Sequence, residues 1–331
     1  MPSAGDAGFF GQVKYYKMKP TLLMAPQLPQ GLVTQLEARY RVLGPFPSAD
    51  PAALPAGAQE AVALLTIGGL PTRAALLDAL PALRLVACYG TGYEGVELAA
   101  CRERGIAVTT AGDANATAVA EFTFGLILAS ARRLLQGDAF VRSGRWQGNA
   151  VERMPQVPGL AGRRLGIYGL GEIGRRIARR GEAFDMEIGY FNRSPRTGLD
   201  YAYHGSLLEL ARWSDVLVVA VRASAETVGA VDTEVLVALG AEGHLVNISR
   251  GSVVDEEALA DALEQGVIAG AALDVFAREP EVPERLRQQP NLVLSPHVAA
   301  NAASAQQAQQ QVMLANLEAM LEGGELRNRI A

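Results

Sequence analysis

A chain of 331 residues is long enough for two domains, and 49% hydrophobic with 20% charged residues is ordinary for a globular protein with large buried sheets. The net charge is −5 and the basic residues are scattered, which excludes nucleic acid as the main partner, since phosphate binding needs a concentrated positive face. Cys88 and Cys101 supply neither a disulfide framework nor a CxxC zinc pair, and no apolar run nears the ~20 residues that span a bilayer, so a metal-free, cytoplasmic protein with no membrane partner is expected.

Residues 1–17 lack the charged-then-apolar order of a secretory signal and read as a loose tail, with Met18-Lys19-Pro20 standing immediately before the first strand-like run. Short apolar runs then alternate with helix-patterned stretches almost to the end. Candidate strands are 21–24, 41–43, 61–66, 83–89 and 106–109, then 164–168, 187–191, 216–221, 243–248, 270–275 and 292–294. Continuous apolar strands separated by helices predict parallel sheets covered on both faces, and eleven strands in two groups fit two doubly wound lobes better than one sheet. Two long helical stretches mark the seams. Residues 115–136 carry Val119, Phe122, Leu126, Ile127 and Leu134 near helical spacing over about six turns. Residues 300–322 end at Gly323-Gly324. The expected organisation is an α/β chain of two Rossmann-like lobes, one (115–298) inserted in the other (18–114 and 299–331).

The pattern GxGxxG occurs twice, and with 35 glycines chance alone gives about 0.4 matches, so context must decide. Both copies, Gly90-Thr91-Gly92-Tyr93-Glu94-Gly95 and Gly169-Leu170-Gly171-Glu172-Ile173-Gly174, follow a strand and precede a helix. After the second comes a helix of about three turns, 173–184, and then the strand 187–191. That is a full βαβ unit with dinucleotide spacing. After the first the helix is stubby, 96–104, with room for a small anion or merely a turn. The strand 187–191 ends in Asn192-Arg193-Ser194 rather than an acidic residue. A guanidinium fork and a hydroxyl suit a 2′-phosphate, so NADPH is expected over NADH; a solvated arginine in a turn is the plainer alternative.

Three polar groups follow successive strands of the inserted lobe: Arg250 after Leu245-Val246-Asn247-Ile248-Ser249, Glu279 after Ala272-Leu273-Asp274-Val275-Phe276, and His297 after Leu294-Ser295-Pro296. Chemistry in open α/β sheets sits beyond the carboxyl ends of strands. Reducing a 2-keto acid needs a cation on the carboxylate and carbonyl, which suits Arg250, and a proton for the new alkoxide, which suits His297. Glu279 beside the imidazole would hold its tautomer. His204 and His244 fall where solvent-facing roles are expected. Asp255 reads as the N-cap of a helix opening Glu256-Glu257, with no catalytic role.

These stretches, with Val246 to Glu256 and Ser295-Pro296-His297-Val298-Ala299 in the same order, resemble the D-isomer-specific 2-hydroxyacid dehydrogenases over nearly everything after the tail. The resemblance implies that Arg250, Glu279 and His297 are the catalytic set, with His297 the proton donor, and that Arg250 and His297 also touch substrate. It implies a cofactor site of Gly169, Leu170, Gly171, Glu172, Ile173, Asn192, Arg193, Ser194, Val221, Ile248, Ser249 and Thr117, with Asp274 on the nicotinamide carboxamide. Backbone amides near Thr91 and Gly92, beside Gly68 and Gly69, would take the substrate carboxylate. The helix from Asn115 would belong to an arm forming a homodimer; Trp146 matches that arm by position and is given no chemistry. Asn192-Arg193-Ser194 is similar to the NADPH-using glyoxylate and hydroxypyruvate reductases. Arg222 stands where many relatives have proline and is a further candidate for the cofactor or an acidic substrate. The alternatives are the same chemistry on a bulkier keto acid with NADH, or a nucleotide-sensing interaction protein on this fold, which would not need a proton donor.

Overall fold

The computed structural model describes residues 19–46, 50–148 and 154–331. The tail assigned to residues 1–17 lies outside them. The chain divides into two compact units, Met1–Thr110 with Ala315–Ala331, and Ala111–Leu314. The return crossing falls inside a long helix, whereas the sequence placed the boundaries at 114/115 and 298/299.

The first unit holds a five-stranded parallel sheet: β1 (Thr21–Met24), β2 (Arg41–Leu43), β3 (Ala61–Thr66), β4 (Leu85–Cys88) and β5 (Ala107–Thr109), in the order β2-β1-β3-β4-β5. This is the flavodoxin-like order, with its switch point between β1 and β3. Around it run α1 (Gln30–Arg39), the short α2 (Ala74–Asp78) and α3 (Leu98–Glu103), and the end of α11 (Ala303–Glu322). All four residues of β1 and of β4 are buried, as a central parallel strand covered on both faces requires.

The second unit holds a seven-stranded parallel sheet: β6 (Arg164–Tyr168), β7 (Glu187–Phe191), β8 (Ala202–Tyr203), β9 (Val216–Val219), β10 (His244–Asn247), β11 (Gly270–Leu273) and β12 (Leu292–Leu294), in the order β12-β11-β10-β9-β6-β7-β8. Numbered from β6, that is the dinucleotide-binding order 3-2-1-4-5-6 with one more strand, and β6 and β9 flank the switch point. Successive side chains alternate between two cores. Leu165, Ile167, Val216, Val218 and Val246 pack with α4 (Ala116–Ala131) and α6 (Glu172–Ala183). Tyr168, Leu217, Val219 and Leu245 pack with α7 (Leu207–Trp213), α8 (Thr233–Leu239), α9 (Glu256–Glu264) and the short α10 (Glu284–Arg287). A period of two with both sets buried is why these strands read as unbroken apolar runs.

Three sequence readings need correction. The single helix expected over 115–136 is two: Arg133, at φ 50°, breaks it between α4 and α5 (Leu134–Arg142). α4 has a buried core face and α5 buries none of its residues, so no apolar packing face continues through Arg133 to keep the two collinear. The two-residue edge strand β8 was not seen, since both residues are exposed and carry no apolar pattern. Strands expected to reach Tyr89, Val221, Ile248 and Val275 stop one or two residues earlier, where the backbone turns out of the ladder to present its loops.

Candidate active site

The glycine loop lies at the switch point, between β6 and α6. Two of its three glycines have a steric reason. Gly169 has φ +104°, and a Cβ there would come within 2.7 Å of the Ala220-Val221 backbone. A Cβ on Gly174 would meet the Gly169 carbonyl at 2.3 Å, so the helix packs close on the loop. A Cβ on Gly171, by contrast, meets nothing within 4 Å. That open side leaves the backbone accessible above the first-turn amides of Glu172 and Ile173 at the N-terminus of α6, an arrangement that suits a pyrophosphate. Asn192, at the end of β7, accepts a hydrogen bond from the Leu170 amide at 2.7 Å, while its Nδ2 is buried with no partner among the described residues. The neutral residue that replaces the usual acid therefore braces the loop and keeps a donor in reserve. Arg193 and Ser194 beyond it are exposed, the Arg193 side chain 91% so. These features fit a dinucleotide. Val221 backs Gly169, Ile248 is buried in the core below, and Thr117 and Arg222 are exposed.

The strand-end residues are brought together by a polar frame. Asn247, fully buried at the end of β10, takes the Ser249 amide (3.0 Å) and hydroxyl (2.9 Å) on its Oδ1 and donates from Nδ2 to the Arg250 carbonyl (3.0 Å). This closes the turn that carries Arg250, whose guanidinium folds back on the Ser249 carbonyl at 2.8 Å. Next to it, Gly251 presses on the loop after β11: a Cβ would lie 1.8 Å from the Phe276 carbonyl carbon. Only glycine lets the Arg250 turn sit against the Glu279 loop this closely. Glu279 takes the Phe276 amide on Oε1 (3.1 Å) and His297 Nδ1 on Oε2 (2.7 Å). His297 has φ 54° and its amide donates to the Asp274 carbonyl at 2.8 Å. Asp274 is 1% exposed and collects the Ser295 hydroxyl (2.6 Å) and the Val298 (3.0 Å) and Ala299 (2.9 Å) amides. Its carboxylate is thus the staple of the His297 loop. Asn247 and Ser295 were missed as functional supports; a buried polar residue in an apolar strand end was the available signal.

In the first unit, Gly95 donates to the Gly68 carbonyl at 2.6 Å, tying the two glycine stretches together. The amides of Thr91 and Gly92 donate to no acceptor among the described residues, and Gly69 is open on its Cβ side. Free backbone donors in a fixed turn suit a small carboxylate.

The other two histidines depart from the solvent-facing roles expected of them. His204 packs on Trp213, with ring centroids 5.0 Å apart. His244 is 8% exposed and shares a 2.9 Å hydrogen bond with the Ser130 hydroxyl. Burial first, then Arg163 and Arg133, push its pKa down to about 4. The ring is therefore held neutral in the fold but titrates near 6.5 when unfolded. Between those values the unfolded chain binds more protons, so stability falls as pH drops from above 6.5 toward 4. Urea denaturation should show a loss of about 2 kcal/mol from this group between pH 7.5 and 5. His244→Gln should remove that part of the slope; an unchanged slope would contradict the burial argument. Asp255 caps α9 as expected, accepting from the Glu257 and Ala258 amides, both at 3.1 Å.

Fold and site together define a nicotinamide-dependent oxidoreductase. Residues 124–299 match the D-isomer specific 2-hydroxyacid dehydrogenase, NAD binding domain. The hydroxyphenylpyruvate reductase of Plectranthus scutellarioides is 44% identical over 253 residues, 76% of this chain and 80% of that protein. The glyoxylate/hydroxypyruvate reductase A of Arabidopsis thaliana is 38% identical over 306 residues, 92% and 96%. The NADPH-dependent glyoxylate/hydroxypyruvate reductase of Sinorhizobium meliloti, solved with NADP and malonate, is similar at a TM-score of 0.86 and 38% identity, covering 95% of this chain and 97% of that one. The chain belongs to the D-isomer-specific 2-hydroxyacid dehydrogenase family.

Proposed function

We propose that this protein reduces a small 2-keto acid, glyoxylate or hydroxypyruvate, to the D-2-hydroxy acid with NADPH, and that His297 gives the proton. The observation that carries the reading is the 2.7 Å bond between Glu279 Oε2 and His297 Nδ1. With Nδ1 bound to a carboxylate, Nε2 is the nitrogen that carries the transferable proton, and Glu279 stabilises the imidazolium before transfer. Arg250 holds the keto acid and polarises its carbonyl. A dihydronicotinamide bound there would supply the hydride to the carbonyl carbon, and His297 gives the proton to the carbonyl oxygen. The loop 169–174, Ser249 and Asp274 belong to the cofactor site, and Arg193 with Ser194 takes the 2′-phosphate, since no carboxylate follows β7.

The test is a steady-state assay of NADPH consumption with a panel of keto acids. Turnover should be fastest with glyoxylate or hydroxypyruvate, and tight NADPH binding with no turnover would sink the enzyme reading. A bulkier aryl keto acid is the second reading, favoured by the 44% identical hydroxyphenylpyruvate reductase, and belongs on the same panel. Arg193→Ala should weaken NADPH binding by about tenfold or more and NADH little; equal losses would contradict the cofactor assignment. The arm is proposed to join two copies of the chain: Leu134, Leu135, Val141 and Trp146 are each more than half exposed on and after α5. A monomer in analytical ultracentrifugation would refute this.

A further inference from the structure

Arg193 has a neighbour of opposite sign. Glu226 Oε2 lies 3.8 Å from Arg193 Nη1, with the two side chains 73% and 91% exposed. Glu226 comes from the turn after β9, on the far side of the switch point from β7. That turn is held in shape: the Ser224 amide donates to Thr227 Oγ1 at 2.8 Å, the Thr227 amide to the Ser224 carbonyl at 3.0 Å, and Thr227 is buried. Burial and, second to it, the Glu226 charge raise the pKa of Tyr168, at the end of β6 immediately before Gly169. An exposed carboxylate on a held turn therefore stands beside the arginine that the sequence offers to a phosphate.

We infer that Glu226 is a selectivity-determining residue that works against the 2′-phosphate of NADPH and so narrows the preference over NADH that Arg193 creates. The inference rests on the proposed role of Arg193. An ion pair this long and this exposed contributes little to orienting Arg193. A phosphate of charge about −1.5 to −2, seated on the guanidinium, comes within about 4–8 Å of the Glu226 carboxylate. Like-charge repulsion at that range in a water-like dielectric weakens binding by a factor of about 3–10, less at high salt. The adenosine ribose of NADH presents only neutral hydroxyls and escapes the penalty. The neutral Asn192 removes the usual carboxylate from the strand end, and Glu226 restores one from the opposite loop.

The experiment is a fluorescence titration of NADPH and NADH into the wild type, Glu226→Gln and Arg193→Ala, at low and at about 0.5 M salt. Glu226→Gln should lower the NADPH Kd about 3–10-fold, leave the NADH Kd within about twofold, and lose most of its effect at high salt. An NADPH Kd unchanged or raised in Glu226→Gln, with Arg193→Ala still selectively weakening NADPH, overturns the inference and leaves the Arg193 assignment standing. Equal weakening of both nucleotides by Arg193→Ala removes that assignment and the inference with it.

Discussion

Replacing His297 with asparagine is expected to lower kcat for keto acid reduction by about 10²–10⁴, the usual contribution of a positioned general acid, while leaving the NADPH Kd within about threefold. Asparagine is the informative choice. His297 sits at φ 54°, a conformation that asparagine tolerates better than most residues, so the loop keeps its shape and the loss reports the proton. Glu279→Gln should cost less. The glutamine can still bond the ring at the 2.7 Å position, but it no longer stabilises the charged imidazolium. Stopped-flow measurement of NADPH oxidation separates the chemical step from release. A His297→Asn enzyme with wild-type kcat would mean that the proton comes from elsewhere.

Asp274→Ala is expected to destabilise the protein by about 3–5 kcal/mol. The change leaves the Ser295 hydroxyl and the Val298 and Ala299 amides without their acceptor in a site that water does not reach, and unsatisfied buried groups cost roughly 1–3 kcal/mol each. Activity should fall with it even below the melting transition, because the released loop is the one that presents His297. Asp274→Asn keeps one acceptor oxygen for the Ser295 and Val298 donors and should lose less. Chemical denaturation together with kcat measures both effects. Full stability in Asp274→Ala would show that the carboxylate is not the staple described above, leaving only the contact with the nicotinamide that the family resemblance implies.

His297 and Glu279 were legible because strand ends in an open α/β sheet are where polar residues are unusual and useful. Asp274 was named only through the family resemblance, and its three hydrogen bonds were not legible at all. They come from Ser295, Val298 and Ala299, more than twenty positions away, and no local pattern encodes which amide a buried carboxylate will meet. His244 shows the same limit from the other side. Its position at the start of β10 suggested solvent, yet the cover supplied by Ser130 of α4 buries it. The break at Arg133 was hidden too, since the apolar spacing of 115–136 continues through it while the packing surface does not.

By itself, the sequence determined every strand but β8, their parallel pairing and the two glycine loops, because hydrophobic period and glycine spacing are local and steric. It also determined the residue types at the strand ends, and with them the class of chemistry. The tertiary structure decided which carboxylate holds the histidine's loop, because that choice depends on distances between segments distant in the chain. It decided, too, that Glu226 faces Arg193 from another loop, a charge relation that residues 33 positions apart acquire only when β7 and β9 take their places on either side of β6.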